Sequence, residues 1–282
     1  MQGRIDHREC DLADKSLVYR ALGWWGGDRW QSLMGHMSHT IALERLGPWV
    51  TRRVLWRIKT HEKIVALSFD DGPHPEFTPA ILDILEKHQL PATFFLVGNH
   101  VQQHPRVVQR LASGPHEIGN HTLSHRILPM LGDQRVLEEI RQAERLIREI
   151  TGQAPRLLRP PMGLFSRRVV DLIEGSGYRT VIGDVYPRDP NRPGRERIYR
   201  RVVRRARPGS IIILHDGGNT HRVDRSQTVW ATERIIKHLK AQGYRFVTIS
   251  GLMDIGERSE DGHNGRLMHR EGFSHQNFLA II

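Results

Sequence analysis

From residue 61 to 250 the chain alternates short apolar runs with longer helical patterns, and this alternation restricts the fold more than any other feature. The runs are IVALSF (64–69), ATFFLVG (92–98), EIGNH (117–121), RLLRPP (156–161), RTVIGDV (179–185), SIIILHD (210–216) and RFVTIS (245–250). Between most of them lie TPAILDILEKHQL, HPRVVQRLASG, RVLEEIRQAERLIREITG, RRVVDLIEGSG, ERIYRRVVRRAR and TVWATERIIKHLKAQG. In the stretch 135–150, Val136, Ile140, Ala143 and Ile147 share one face at helical spacing. Strand then helix, repeated, builds a mainly parallel sheet with helices outside it. The expected class is therefore α/β. These runs fall one strand short of an eight-stranded barrel, which points to an incomplete or distorted (β/α) barrel, with an open doubly wound sheet as the alternative.

This pattern divides the chain into an N-terminal extension (1–60), a core (61–250) and a polar tail (251–282). The extension mixes tryptophan with arginine in WWGGDRW and GPWVTRRVLWRI, which suits a helical cap or a membrane-surface contact. The opening MQGRIDHRECDLADKS has no apolar segment of signal-peptide type. No run reaches the roughly 20 apolar residues of a bilayer span. The default compartment is thus the cytoplasm, with the cell envelope as the alternative. A single cysteine, Cys10, excludes an intrachain disulfide and a cysteine-based zinc site. The net charge of +11 favours an anionic partner without choosing one. RERIYRRVVRRAR is dense in arginine, yet Ile198, Val202 and Ala206 form an apolar stripe, so the arginines read as a solvated face and no nucleic-acid partner is expected. Nothing in the sequence indicates an oligomeric state.

The polar residues fall where strands end. Asp70 and Asp71 close the first run in SFDDGP, His121 closes the third in HTLSH, and Arg159 the fourth in RPPMG. Asp184 and Asp189 follow the fifth, and His215 and Asp216 close the sixth in ILHDGG. In a parallel barrel these ends converge. His121 and His125, four apart, would share one face of a helical turn and reach a single ion. A carboxylate from a neighbouring strand would complete a His-His-Asp set with open positions, the layout of a catalytic metal site. Asp70 and Asp71 are adjacent in extended chain, so their side chains diverge; one can take a cation while the other stays free as a base.

In order and spacing, SFDDGP, HTLSH, RPPMG, the Asp189 region and LHD resemble the polysaccharide deacetylase family, the NodB-homology or carbohydrate esterase family 4 domain; PATFFLVG and HEIGNHT are similar too. The resemblance covers about residues 60–250. It implies a distorted (β/α)7 barrel and a metal-dependent hydrolase that releases acetate from N-acetylated amino sugars in a chitin-like or peptidoglycan-like glycan. It also implies a divalent metal, commonly Zn2+, with Co2+ or another ion as the alternative. Carried over position by position, it makes Asp71, His121 and His125 metal ligands, Asp70 the general base and His215 the general acid. Arg159 orients the base, Asp189 tunes the catalytic histidine, and Pro160, Met162 and Leu214 contact substrate. Two positions depart from the pattern: Met162 stands where an aromatic residue is usual, and Pro190 follows Asp189 where tryptophan is usual. The second departure leaves Asp184 as a competitor for the role of Asp189. The alternatives in function are a deacylase or deformylase acting on a glycolipid, and a carbohydrate-binding pseudoenzyme.

Overall fold

The computed structural model describes residues 53–218 and 223–256. The expectations of a tryptophan-containing cap or membrane contact and of a polar tail fall almost wholly outside these residues. Eight parallel strands form one sheet: β1 (Val54–Leu55), β2 (Ile64–Gly72), β3 (Thr93–Leu96), β4 (Glu117–Asn120), β5 (Leu157–Leu158), β6 (Arg179–Val181), β7 (Ile211–His215) and β8 (Arg245–Val247). Their order is β1-β6-β5-β4-β3-β2-β7, with β8 paired to β2. The helices are α1 (Phe77–His88), α2 (Gly98–Gln103), α3 (Pro105–Ser113), α4 (Asp133–Thr151), α5 (Arg167–Gly175), α6 (Arg195–Val203) and α7 (Ser226–Ala241).

All seven expected strands are present. The eighth, β1, lies inside the segment read as an extension and pairs Val54 with Thr180 and Leu55 with Val181. Two residues are too few to show a period, so this strand has no signature in the sequence. Several strands are shorter than the apolar runs. Pro160 and Pro161 offer no N–H to a ladder, and β5 stops at Leu158. Isolated bridges Arg57–Ser210 and Val185–Ile212 join the β1 and β6 side of the sheet to β7. The curl is therefore a distorted barrel, without a continuous ladder across that seam.

The two faces of β2 explain where the chemistry sits. Val65, Leu67 and Phe69 point into the layer between sheet and helices, packed with Ile81, Leu82 and Leu85 of α1 and Ile235 and Ile236 of α7. On the other face, Ile64 and Ala66 join Phe95, Leu157, Val181 and Ile211 in the barrel interior. Continuing along that inner face at period two, the next residues are Ser68 and Asp70. The interior is apolar at one end and polar at the C-terminal end of the strands, where β7 delivers His215 opposite Asp70. Val136, Ile140, Ala143 and Ile147 form the buried stripe of α4 as their spacing predicts.

Candidate active site

Asp71 follows Asp70 but does not continue the extended strand. A register shift falls between Asp70 and Gly72, and Asp71 adopts a left-handed conformation with φ 70°. Asx-type residues tolerate this region better than most. Two contacts hold the bulge: His100 Nδ1–H donates to the Asp71 carbonyl at 2.9 Å, and Gly217 packs beneath it. A Cβ at Gly217 would lie 2.0 Å from that carbonyl oxygen, so only glycine fits. Behind the bulge, the buried Asp216 accepts from Thr78 Oγ1 at 2.5 Å; burial pushes this carboxyl up to about 7.

His121 and His125 do not lie on a helical turn as their spacing suggests. The segment is an irregular loop in which Thr122 and His125 are left-handed, with φ 70° and 55°. Side chains rather than a helix ladder fix it. Asn120 Oδ1 accepts from the Thr122 N–H, Thr122 Oγ1 accepts from the His125 N–H, and Glu139 of α4 accepts from both Ser124 N–H and Ser124 Oγ. Glu139 is fully buried and Asn120 is anchored by the Ile140 carbonyl and the Tyr178 hydroxyl. The result still brings both imidazoles to one carboxylate. Asp71 Oδ1 lies 3.4 Å from His121 Nε2 and 3.0 Å from His125 Nε2.

These three groups fit a cation. The Arg159 carbonyl can only accept, so its 2.6 Å contact with His121 Nδ1 places the proton there and leaves Nε2 a lone pair. Asp71 Oδ1 is buried without a hydrogen-bond partner among the described residues. One carboxylate oxygen and two imidazole nitrogens thus converge within 4.8 Å of one another. An oxygen left buried and unpaired is costly unless an ion meets it.

Across the site, Arg159 Nη1 donates to Asp70 Oδ1 at 2.5 Å and to Ser68 Oγ at 2.9 Å, and its guanidinium carbon lies 4.1 Å from the Phe95 ring. His215 Nδ1 meets Asp189 Oδ1 at 3.0 Å, while Asp189 Oδ2 accepts from the His215 N–H and from Thr228 Oγ1. Burial alone would lower the His215 pKa; the charge and hydrogen bond of Asp189, with Asp71 and Asp70 beyond, override it and raise His215 to about 9. Asp184, the competing acid, is engaged elsewhere by Ser210 Oγ and the Ile211 N–H.

The expected substrate contacts divide. Pro160 is buried, and Met162 on the adjoining turn is 64% exposed with φ 60°. Leu214 is the correction: it is fully buried in the layer between sheet and helices. Strand alternation gives the reason. Leu214 neighbours His215 and therefore points away from it, whereas Ile213 shares its face. Tyr186, not singled out by the sequence, is also at the site, with its ring centroid 5.9 Å from that of His215.

A parallel α/β barrel with a carboxylate and two imidazoles at its C-terminal strand ends, flanked by a buried ion pair and an Asp–His pair, is the architecture of a metal-dependent hydrolase. Residues 57–181 match the polysaccharide deacetylase family model. A peptidoglycan-N-acetylglucosamine deacetylase of Bacillus cereus is 42% identical over 205 residues, covering 72% of this chain and 94% of the relative. A chitooligosaccharide deacetylase of Sinorhizobium fredii is 39% identical over 199 residues, with 68% and 93% covered. A crystal structure of a peptidoglycan N-acetylglucosamine deacetylase superposes with TM-score 0.69 at 34% identity, covering 72% of this chain and 94% of that one. A Bacillus anthracis pseudoenzyme of the carbohydrate esterase 4 family gives 0.65 at 30% identity, covering 71% and 68%. The chain belongs to the polysaccharide deacetylase family.

Proposed function

We propose that the protein hydrolyses N-acetyl groups of amino sugars within an oligo- or polysaccharide, releasing acetate. The observation that carries this reading is the placement of Asp71 Oδ1, buried without a hydrogen-bond partner, against two imidazole nitrogens beside an inward-facing Asp70–His215 strand pair. Asp71, His121 and His125 would hold a divalent cation, with zinc favoured by the imidazole–carboxylate set, and it would supply Lewis acidity at the acetyl carbonyl and acidify the attacking water. Asp70 takes the proton of that water, and its ion pair with Arg159 fixes the direction of its free oxygen. The new C–O bond forms at the carbonyl carbon, and the Met162 N–H is the candidate donor to the oxyanion. His215 carries its proton on the side away from Asp189 and delivers it to nitrogen as the C–N bond breaks, so the amine leaves neutral. Ile213, which shares the His215 face of β7, and Tyr186, whose ring centroid lies 5.9 Å from that of His215, are the side chains assigned to the acetyl methyl.

Metal analysis of the purified protein together with acetate release from N-acetylglucosamine oligomers tests this reading. Stoichiometric divalent metal and acetate release that chelation abolishes are expected. Bound metal with no acetate from any acetylated glycan would refute hydrolysis and leave binding alone.

A further inference from the structure

The turn that carries Asp189 also gathers arginines that no acid among the described residues meets. Arg188 immediately precedes Asp189 in a left-handed conformation, φ 62° and ψ 39°. Arg201 of α6 ties itself to the same turn, donating from Nη1 to the Pro187 carbonyl at 2.8 Å. Among the described residues, no carboxylate is ion-paired with Arg188, Arg197, Arg201 or Arg205, although their neighbours Arg192 and Arg207 meet Asp224 and Asp184 at 2.9 and 3.6 Å. Burial and then the charges of Arg188, Arg197 and Arg205 all act against the protonated form of Arg201. Four guanidinium groups therefore share one neighbourhood at a cost in mutual repulsion.

Position distinguishes this cluster from an ordinary basic helix face. Arg188 is one residue from the acid that holds His215, and consecutive Cα atoms are only about 3.8 Å apart. Tyr186 relates the two regions: its ring borders His215, and the charges of Asp189, Asp70, Asp71 and Arg188 all act on its phenol. The turn bearing Arg188, to which Arg201 is tied, is thus contiguous with the reacting centre.

We propose that Arg188, Arg197 and Arg201 form an anion subsite that seats a carboxylate or phosphate carried by the glycan beside the N-acetyl sugar being hydrolysed. The inference rests on the deacetylase reading above. Guanidinium groups suit this role because their planar donors match both oxyanions bidentately. The ligand neutralises a repulsion that the fold leaves standing. Continuity with the reacting centre favours a group on the substrate over a nucleic-acid backbone, which needs no such neighbour.

The test compares three N-acetylglucosamine-type tetrasaccharides: one neutral, one with a lactyl carboxylate on alternate sugars, and one with a phosphate ester. At low salt, at least one acidic substrate is expected to show a KM about tenfold below the neutral one, with the gap closing near 1 M salt, where the screening length is about 3 Å. The double variant Arg188→Gln with Arg197→Gln should lose that preference while keeping its bound metal. Whichever acidic arm shows the preference names the anion. Equal KM values for all three substrates, a preference intact in the double variant, or stronger competition by short duplex DNA than by the acidic tetrasaccharides would overturn the subsite. Acetate release from none of them would instead sink the deacetylase reading. Calorimetry would then still decide the subsite: tighter binding of an acidic than of the neutral tetrasaccharide, lost in the double variant, supports it, and equal binding refutes it.

Discussion

Replacing Asp189 with asparagine should move the alkaline limb of the pH–rate profile. The carboxylate contributes a full charge 3.0 Å from His215 Nδ1, whereas the neutral amide keeps one acceptor oxygen and turns the other into an N–H donor. His215 stands at about 9 against an ordinary 6.5, a difference worth about 3 kcal/mol in favour of the imidazolium. If the variant returned only to the ordinary value, the protonated fraction at pH 8 would fall about thirtyfold, from nine-tenths to a few per cent. A cation at Asp71 lowers the absolute value in both proteins, so the displacement between their profiles is the quantity to measure. The sign follows from the role of proton donor: activity is lost as pH rises through the His215 pKa, and the Asn variant should lose it at lower pH. A stability readout should agree. A raised folded-state pKa stabilises the protein fully below about 6.5, and that contribution disappears as pH climbs through about 9, so the metal-free variant should lack this slope. The assay is kcat/KM across pH for both proteins, with thermal melts over the same range. An alkaline limb that stays in place in the Asn variant would refute the assignment of His215 as the acid held by Asp189.

Other perturbations separate the remaining roles. Asp71→Asn should lose bound metal, measured by elemental analysis, whereas Asp70→Asn should retain it and lose about 10²–10⁴-fold in kcat. Equal metal contents with equal activities would contradict the division of labour. Gly217→Ala drives a Cβ into the Asp71 carbonyl and should lower both metal affinity and stability, the latter by about 1–3 kcal/mol in denaturant titrations. Leu214→Ala should cost about 2–5 kcal/mol of stability as a core cavity, while Ile213→Ala should act mainly on steady-state kinetics with acetylated substrate.

The order of strands and helices was legible because fully buried parallel strands are written as unbroken apolar runs and their helices as one-sided stripes. The convergence of Asp70, Asp71, His121, Arg159 and His215 followed from their shared position at strand ends, whereas Asp189 lies on a turn well past the end of β6 and strand ends alone did not separate it from Asp184. What the sequence concealed was conformation at single residues. The spacing of His121 and His125 suggests a helix, but Asn120, Thr122 and Glu139 bend the chain so that two left-handed residues give the same proximity. Glu139 lies on another element, and nothing in its local sequence marks it as a loop anchor. His100 is equally silent, since its partner is a backbone carbonyl. The facing of Leu214 is itself written in the sequence, because period-two counting back from His215 passes over Leu214 and selects Ile213.

The paired aspartates show why such local detail governs the chemistry. Plain strand alternation would turn Asp70 inward and Asp71 outward into the helical layer, where a carboxylate has no partner. The bulge and the left-handed backbone at Asp71 return the second carboxylate to the C-terminal mouth of the barrel, rotated away from the first. Asp70 then pairs with Arg159, and Asp71 faces the two imidazoles with which it would hold a cation, so the like charges are kept apart. A glycine under the bulge and a histidine over it are the conditions for this arrangement. The division between base and ligand is therefore set by the backbone, and substitutions at Gly217 or His100 should disturb it while leaving all the proposed ligand and acid–base side chains in place.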